Sequence, residues 1–173
     1  MALLLTLTGC GGSEVAADGG TGSKVDQASV LDPSTSNDGL DVMAWGQTMT
    51  YADGLALTVS QPTGYTPGEW AAGTEGHTNF VTFDVTVMNG TSQPYDPLLL
   101  MTGATSGGVA ASEVFDSEVL GTRPDAAILP GQTVTWKVGY GVADPADITV
   151  DVSAGLDENF NSYDDVFWQG PAA

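Results

Sequence analysis

The segment Phe80-Val-Thr-Phe-Asp-Val-Thr-Val-Met88 decides the fold, because its residues alternate between apolar and polar along an extended chain. A period of two is typical of a strand that is buried on one side only. The segment 132–142 (Gln-Thr-Val-Thr-Trp-Lys-Val-Gly-Tyr-Gly-Val) repeats the pattern. The faces predicted to point inward are Val81, Phe83, Val85 and Val87 in the first segment, and Val134, Trp136, Val138, Tyr140 and Val142 in the second.

Shorter alternating segments flank these two, and turn-forming residues separate them. Residues 55–59 and 148–152 are predicted strands, and 48–51, 97–102, 109–115 and 166–168 are weaker candidates. No convincing window shows the i, i+3, i+4 spacing of a helix. The strand pattern therefore predicts an all-β fold, an antiparallel β-sandwich of seven or more strands.

Composition excludes several classes of protein. The 173 residues include 22 acidic and 3 basic side chains, for a formal net charge of −19. Nucleic-acid binding requires a basic face, which three basic residues cannot provide, so no nucleic-acid partner is expected. Hydrophobic residues make up 42% of the chain, which excludes a wholly disordered acidic protein. No apolar run approaches the ~18–20 residues of a membrane-spanning helix.

The tetrapeptide Leu7-Thr8-Gly9-Cys10 resembles the lipobox of bacterial lipoproteins, and Cys10 is the single cysteine of the chain. This resemblance implies a signal peptide over residues 1–9, cleavage before Cys10, and a lipid on its sulfur. No basic residue precedes the short apolar segment, so we expect a signal peptide truncated by a start codon assigned too late. The expected location is extracytoplasmic, anchored by lipid to the outer face of the cytoplasmic membrane.

Residues 10–40 form the predicted tether behind this anchor. Positions 11–40 hold six Gly, five Ser and four Asp, and no aromatic residue. Such a segment cannot bury enough apolar surface to offset its conformational entropy, which predicts disorder. A flexible coil of this length has a root-mean-square reach of about 30 Å.

A family resemblance is carried by three segments. They are Gly46 to Gly54-Leu55, the block 79–92 containing Asn89-Gly90, and the strand 129–140 that leads into 148–152. The chain resembles the telokin-like, immunoglobulin-fold domains of unknown function in Gram-positive lipoproteins of actinobacterial type. This resemblance implies that the all-β domain is an immunoglobulin-like antiparallel β-sandwich of about seven to nine strands over residues 41–170. We expect Asn89-Gly90 to end a strand in a turn tolerant of positive φ, and Pro130-Gly131 to form a tight corner. The family has no agreed activity, so the resemblance implies no catalytic residue.

The chemistry-bearing residues do not form a recognisable catalytic set. His77 is the only histidine, the cysteine is expected to be lipidated, and no Gly-x-Ser-x-Gly elbow is present, so we predict that the protein is not an enzyme and has no cofactor. A copper site would combine His77 with methionines, although such residues more often fill gaps in a core. The methionines considered are Met49, Met88 and Met101.

The segment 157–165 is the densest in oxygen ligands and offers a calcium alternative. It lacks the glycine and the terminal glutamate of an EF-hand loop, so a solvated acidic loop before the final strand is the favoured interpretation. The candidate calcium ligands are Asp157, Glu158, Asp164 and Asp165.

The loop Gly64-Tyr-Thr-Pro-Gly-Glu-Trp70 is the candidate binding loop. Tyr65 and Trp70 would serve as rigid aromatic anchors if they are exposed, or would cover one end of the sandwich if they fold back. The predicted function is therefore a cell-surface lipoprotein whose non-catalytic domain binds an envelope protein or glycan. The alternative is a cation- or metal-handling lipoprotein that uses the 157–165 loop, or His77 with methionines.

Overall fold

The computed structural model describes residues 41–173. The predicted signal peptide (1–9), the predicted lipidation site Cys10 and the predicted tether (10–40) lie outside the described residues. Within the described part, no helix is long and apolar enough to cross a membrane. The eleven strands described are β1 (Asp41–Met43), β2 (Thr48–Thr50), β3 (Leu55–Val59), β4 (Thr63–Gly64), β5 (Asn79–Asn89), β6 (Met101–Ser106), β7 (Val109–Ala110), β8 (Ser112–Val114), β9 (Thr133–Val142), β10 (Ile148–Ser153) and β11 (Val166–Gly170).

These strands form two sheets that pack as a β-sandwich, so the predicted immunoglobulin-like all-β fold is confirmed. One sheet has the order β1-β11-β10-β6-β7, and the other has the order β2-β3-β5-β9-β8 with β4 added beside β5. Every pairing is antiparallel except that of β1 with β11, which is parallel. The strand number exceeds the predicted seven to nine because β1 and β4 have only three and two residues, too few to show alternation.

The core lies between the sheets and uses the faces that the alternation predicts. Phe83 of β5 stacks on Tyr140 of β9, with ring centroids 5.9 Å apart. Trp136 is 6% exposed and belongs to the core, as expected for an indole between the sheets. Trp168 of β11 is fully buried, and its Nε1 donates to the carbonyl of Gln47 at 3.0 Å. Each fully buried aliphatic or aromatic side chain contributes about 1.5–3 kcal/mol relative to exposure.

Two of the weaker strand predictions need correction. Residues Pro97–Leu99 form a 3₁₀ turn rather than a strand, because Pro97 follows Asp96, whose carboxylate accepts from the Leu98 N–H at 2.9 Å. The 109–115 candidate is divided between the sheets, since β7 pairs with β6 whereas β8 pairs with β9. The chain therefore crosses from one sheet to the other at Ala111.

The Asn89-Gly90 turn forms, but not for the predicted reason. Gly90 does not have a positive φ. It is required by close packing, because a Cβ at this position would lie 2.4 Å from the carbonyl oxygen of Gly54. The Asn89 side chain is fully buried and donates to the carbonyls of Gln93 (2.8 Å) and Ile128 (2.7 Å). The other predicted corner is confirmed, with Gly131 at φ +79°.

Candidate functional site

Strand β8 pairs with only part of β9, and this leaves a section of β9 without a neighbour. The last β8 residue, Val114, lies opposite Gly139. Phe115 then turns away and exchanges backbone hydrogen bonds with Ala72 at 2.9 and 3.0 Å. Among the described residues, no strand pairs with this side of β9 from Thr133 to Val138.

The peptide groups along this open edge follow from the register. The Asn89 N–H donates to the Gln132 carbonyl at 2.9 Å, so Gln132 and every second residue after it direct their peptide groups toward β5. The alternate residues Thr135 and Lys137 direct theirs toward the open edge. No hydrogen bond from any other residue of 41–173 reaches these backbone groups.

A groove of about 470 Å³ lies beside this edge and is called here the β9 groove. Trp70 and Phe115 stand at it with 83% and 65% of their surface exposed. Such a volume falls within the range of ligand pockets, about 300–1,000 Å³. The groove is lined by Trp70, Leu100, Thr102, residues 113–117, residues 120–123 and residues 136–139.

Both basic residues of the sandwich line the β9 groove. Residues 41–173 contain seventeen acidic side chains and only Arg123 and Lys137 as basic ones. The Arg123 guanidinium donates to the carbonyls of Pro97 and Leu100 and lies 5.8 Å from the centroid of the Trp136 ring. Lys137 Nζ contacts Asp84 Oδ1 at 2.9 Å on a partly exposed surface. The groove thus carries both basic side chains of an acidic domain, beside the carboxylates of Glu113 and Asp116.

Glu113 lies beside this positive charge on the same groove. Burial raises the pKa of Glu113, and the nearby charge of Arg123 opposes that rise. The two side chains do not form a salt bridge in the described structure. A carboxylate whose ionised form is disfavoured by burial therefore shares the groove with the Arg123 guanidinium.

Asp116 holds the loops that carry the exposed aromatic residues. Its side chain is buried and accepts hydrogen bonds from the backbone N–H groups of Gly68 (2.8 Å), Glu118 (3.1 Å) and Val119 (3.1 Å). The Gly68 bond is the largest of the effects that lower the pKa of Asp116. Together with the Ala72–Phe115 bridge, these bonds fix the Trp70 loop against the β8–β9 connection. Neither Asp116 nor Phe115 was singled out in the sequence, because no local pattern distinguishes a long-range loop anchor.

The two predicted binding-loop residues have different surroundings. Tyr65 lies over Gly139, because a Cβ added to Gly139 would be 2.8 Å from the Tyr65 hydroxyl oxygen. The Tyr65 ring also meets the Phe80 ring edge-on, with the ring centroids 6.4 Å apart. Burial raises the pKa of Tyr65 to about 12. Tyr65 therefore covers the sheet, as the fold-back alternative describes, whereas Trp70 is presented to solvent. A binding role for this loop stays a prediction, and it now concerns Trp70.

His77 packs on the outer face of β9. A Cβ on Gly141 would lie 2.6 Å from its Cγ, and its Nε2 lies 2.9 Å from Ser112 Oγ. The pair resembles the first two members of a nucleophilic triad, but neither residue lines the β9 groove. None of the described carboxylates bonds to His77, so the arrangement lacks the group that would orient a base.

The copper alternative lacks geometric support. His77 lies over Gly141, whereas Met88 is opposite Thr133, eight residues away along the same strand. At about 3.3 Å per residue, Gly141 and Thr133 are about 26 Å apart along β9, which is too far for His77 and Met88 to share a metal. Of the other two methionines, Met49 packs against the core, and Met101 lies in the other sheet with 69% of its surface exposed.

Only two of the four calcium candidates line the same cavity. Asp157 and Glu158 line a second cavity of about 490 Å³ at the end of the sandwich, together with Tyr163 and Asp53, whereas Asp164 and Asp165 do not. Asp157 accepts from the N–H groups of Asn159 and Asn161, both at 2.8 Å, and its bonds to Asn161 are the main cause of its lowered pKa. Residues 41–173 contain no group of three or more His, Cys, Asp or Glu side chains placed to hold a metal. Calcium binding stays a prediction from the sequence.

Three solved structures of bacterial proteins resemble this arrangement of strands. YcdA of Bacillus subtilis, a candidate lipoprotein, matches with a TM-score of 0.55 and 13% identity over 75% of this chain. The secreted protein MPT63 of Mycobacterium tuberculosis matches with a TM-score of 0.51 and 20% identity over 76% of this chain and 98% of its own. YjhA of B. subtilis matches with a TM-score of 0.51 and 17% identity over 72% and 98%.

This chain shares its β-sandwich fold with these bacterial proteins. It spans only 39% of the length of YcdA. No family model matches the chain, and no curated protein matches it either. At these identities the likeness concerns the fold, and the residues of the β9 groove carry the functional argument.

Proposed function

We propose that this protein is an envelope lipoprotein whose β-sandwich binds a protein or glycan ligand in the β9 groove without catalysis. In this proposal Cys10 carries the lipid anchor on the outer face of the cytoplasmic membrane, and residues 11–40 let the domain reach its ligand. The lipobox-like tetrapeptide supports the anchor. The fold similarity to a candidate lipoprotein and to a secreted protein agrees with an extracytoplasmic location. We also propose membership of the telokin-like, immunoglobulin-fold class of actinobacterial-type lipoproteins, which the strands placed at 79–89 and 133–142 support.

The observation that carries the binding proposal is the exposure of Trp70 and Phe115 on loops that are held in place. Exposed apolar side chains that lie together on one surface mark interaction sites, and rigid aromatic side chains lose little entropy on binding. Asp116 anchors both loops through three backbone hydrogen bonds. The two loops that carry Trp70 and Phe115 are therefore held in place before a ligand binds, which lowers the entropic cost of association.

The absence of catalysis is part of the proposal and rests on the same region. The groove contains Arg123, Lys137, Glu113 and Asp116, but Arg123 is held by backbone carbonyls and Asp116 by backbone N–H groups. Glu113 forms no salt bridge within residues 41–173. Groups bound in this way position a ligand and do not supply a nucleophile with its base.

Immobilised full chain tests the proposal when it is exposed to solubilised envelope proteins and to cell-wall glycans. We expect capture that is lost in Trp70→Ala and in Phe115→Ala. Phe160→Ala is the matched control, because Phe160 is 84% exposed but does not line the β9 groove. Capture that all three variants retain, or no capture by the parent chain, contradicts binding in the groove.

A further inference from the structure

The β9 edge offers what a β-strand needs in order to pair. From Thr133 to Val138 it presents six residues, about 20 Å of extended chain. The peptide groups of Thr135 and Lys137 face this edge, and no described residue satisfies them. An extended peptide that adds to such an edge gains backbone hydrogen bonds for affinity, and adjacent pockets read its side chains.

This edge differs from the other open edge of the same sheet. Tyr51 directly follows β2, and its N–H donates to the carbonyl of Leu55 in β3 at 2.8 Å. Because peptide groups alternate in direction along a strand, Thr50 directs its peptide group away from β3, toward the open edge. Thr50 lines neither cavity. Natural proteins keep edges from pairing by making them short, and β2 has three residues. The β9 edge is longer and lies beside a groove with exposed aromatic residues.

Charge indicates what kind of peptide would fit. A strand added to β9 places its side chains alternately on the two faces of the sheet. A residue opposite Trp136 would face the side on which Arg123 lies, and the adjacent residue opposite Lys137 would face the other side. An acidic side chain at either position would meet a cation. Two carboxylates, Glu113 and Asp116, also line the groove, so its acidic and basic side chains balance, whereas the charged side chains elsewhere on residues 41–173 are all acidic. The charge distribution therefore repels an acidic segment less at this groove than on the remaining surface.

We propose that the β9 groove takes an extended, acidic segment of another protein, which adds as a strand along Thr133–Val138 and places carboxylates beside Arg123 and Lys137. This inference rests on the proposed binding function and specifies its ligand as a peptide. The backbone of the segment bonds to Thr135 and Lys137. Trp70 and Phe115 cover its apolar side chains at the end where β8 leaves β9.

A random heptapeptide library displayed on phage and selected against the full chain supplies the probe. We expect the selected sequences to share an acidic residue next to β-branched or aromatic residues. The best sequence, made as a fluorescein-labelled synthetic peptide, is titrated by fluorescence anisotropy. Thr135→Pro removes the outward N–H and Lys137→Gln removes a cation, and each should weaken binding at least about tenfold.

Thr50→Pro is the matched control, because it removes an outward N–H from the opposite edge of the same sheet, and we expect it to bind like the parent chain. N-methylation of the peptide tests the same point without changing the protein. Every second amide of the bound peptide should point toward β9, and methylating any of these amides should abolish binding. Methylating the amides between them, which point away from β9, should leave binding unchanged.

The inference is overturned if no acidic sequence is selected, if Thr50→Pro weakens binding as much as Thr135→Pro, or if every N-methylated peptide binds. A chain that captures a cell-wall glycan through Trp70 but selects no peptide contradicts the peptide ligand and leaves the binding function standing. A chain that captures neither contradicts both proposals.

Discussion

Replacing Trp70 with alanine separates a ligand-contacting role from a structural one. A tryptophan buries up to about 250 Å² when it is fully covered. Since Trp70 is 83% exposed, only about one sixth of that surface, roughly 40 Å², is removed from water. At about 25 cal/mol per Å², Trp70→Ala should cost about 1 kcal/mol of unfolding free energy. The same change should abolish capture of an envelope ligand.

Urea unfolding at 25 °C, followed by circular dichroism, measures the first effect. Trp168→Ala provides the internal reference, because Trp168 is fully buried and donates to the Gln47 carbonyl. We expect a loss of about 3–5 kcal/mol there. A loss of that size for Trp70→Ala would show that this side chain supports the fold and would refute its role as an exposed anchor. Unchanged stability of Trp70→Ala together with full capture of the ligand would also refute that role.

Three further predictions concern the groups around the groove. Folding lowers the pKa of Asp116, so the ionised carboxylate stabilises the folded state. This contribution is complete above the pKa of about 3.9 that an aspartate has in an unfolded chain, and it is lost as the pH falls below that value. Urea titrations at several pH values should therefore show a smaller acid-dependent loss of stability in Asp116→Asn than in the parent chain. Burial raises the pKa of Glu113, so the ionised form of this side chain opposes folding. Glu113→Gln should therefore raise the melting temperature of the protein at pH 7. This gain should vanish below about pH 4, where the glutamate carboxyl is protonated in both the folded and the unfolded chain. Gly141→Ala would place a Cβ 2.6 Å from His77 Cγ and should lower the free energy of unfolding by about 1–3 kcal/mol. Adding His77→Ala to the same chain should restore part of this loss. An equal loss with and without the His77 side chain would contradict the packing of His77 on Gly141.

The sandwich could be predicted because its long strands carry complete alternating patterns. The segment 80–88 has four inward apolar residues, and the structure buries all four. Short elements could not be found in this way. Residues 63–64 and 109–110 form strands only because long partners, β5 and β6, are already in place. Asp96 and Pro97 favour a turn over a strand, and this local hydrogen bonding outweighed the apolar run that follows them.

The candidate site was only partly visible in the sequence. Trp70 could be singled out because an aromatic residue in a Pro/Gly-rich loop is unusual. The β9 groove could not, because it exists only where β8 stops pairing after Val114 and Phe115 bonds to Ala72 instead. Arg123 and Lys137 are fourteen positions apart in sequence, and the fold brings them to one groove. Such convergence depends on the register of distant segments, which alternation does not specify.

Site-specific photocrosslinking in the native host tests the central claim, binding in the β9 groove, most directly. Benzoylphenylalanine replaces Phe115 in one chain and Phe160 in another, because both positions are exposed and only the first lines the groove. Irradiation should produce a covalent adduct to an envelope component from position 115 and none from position 160. An adduct from position 160 alone, or none from either position, would contradict the account.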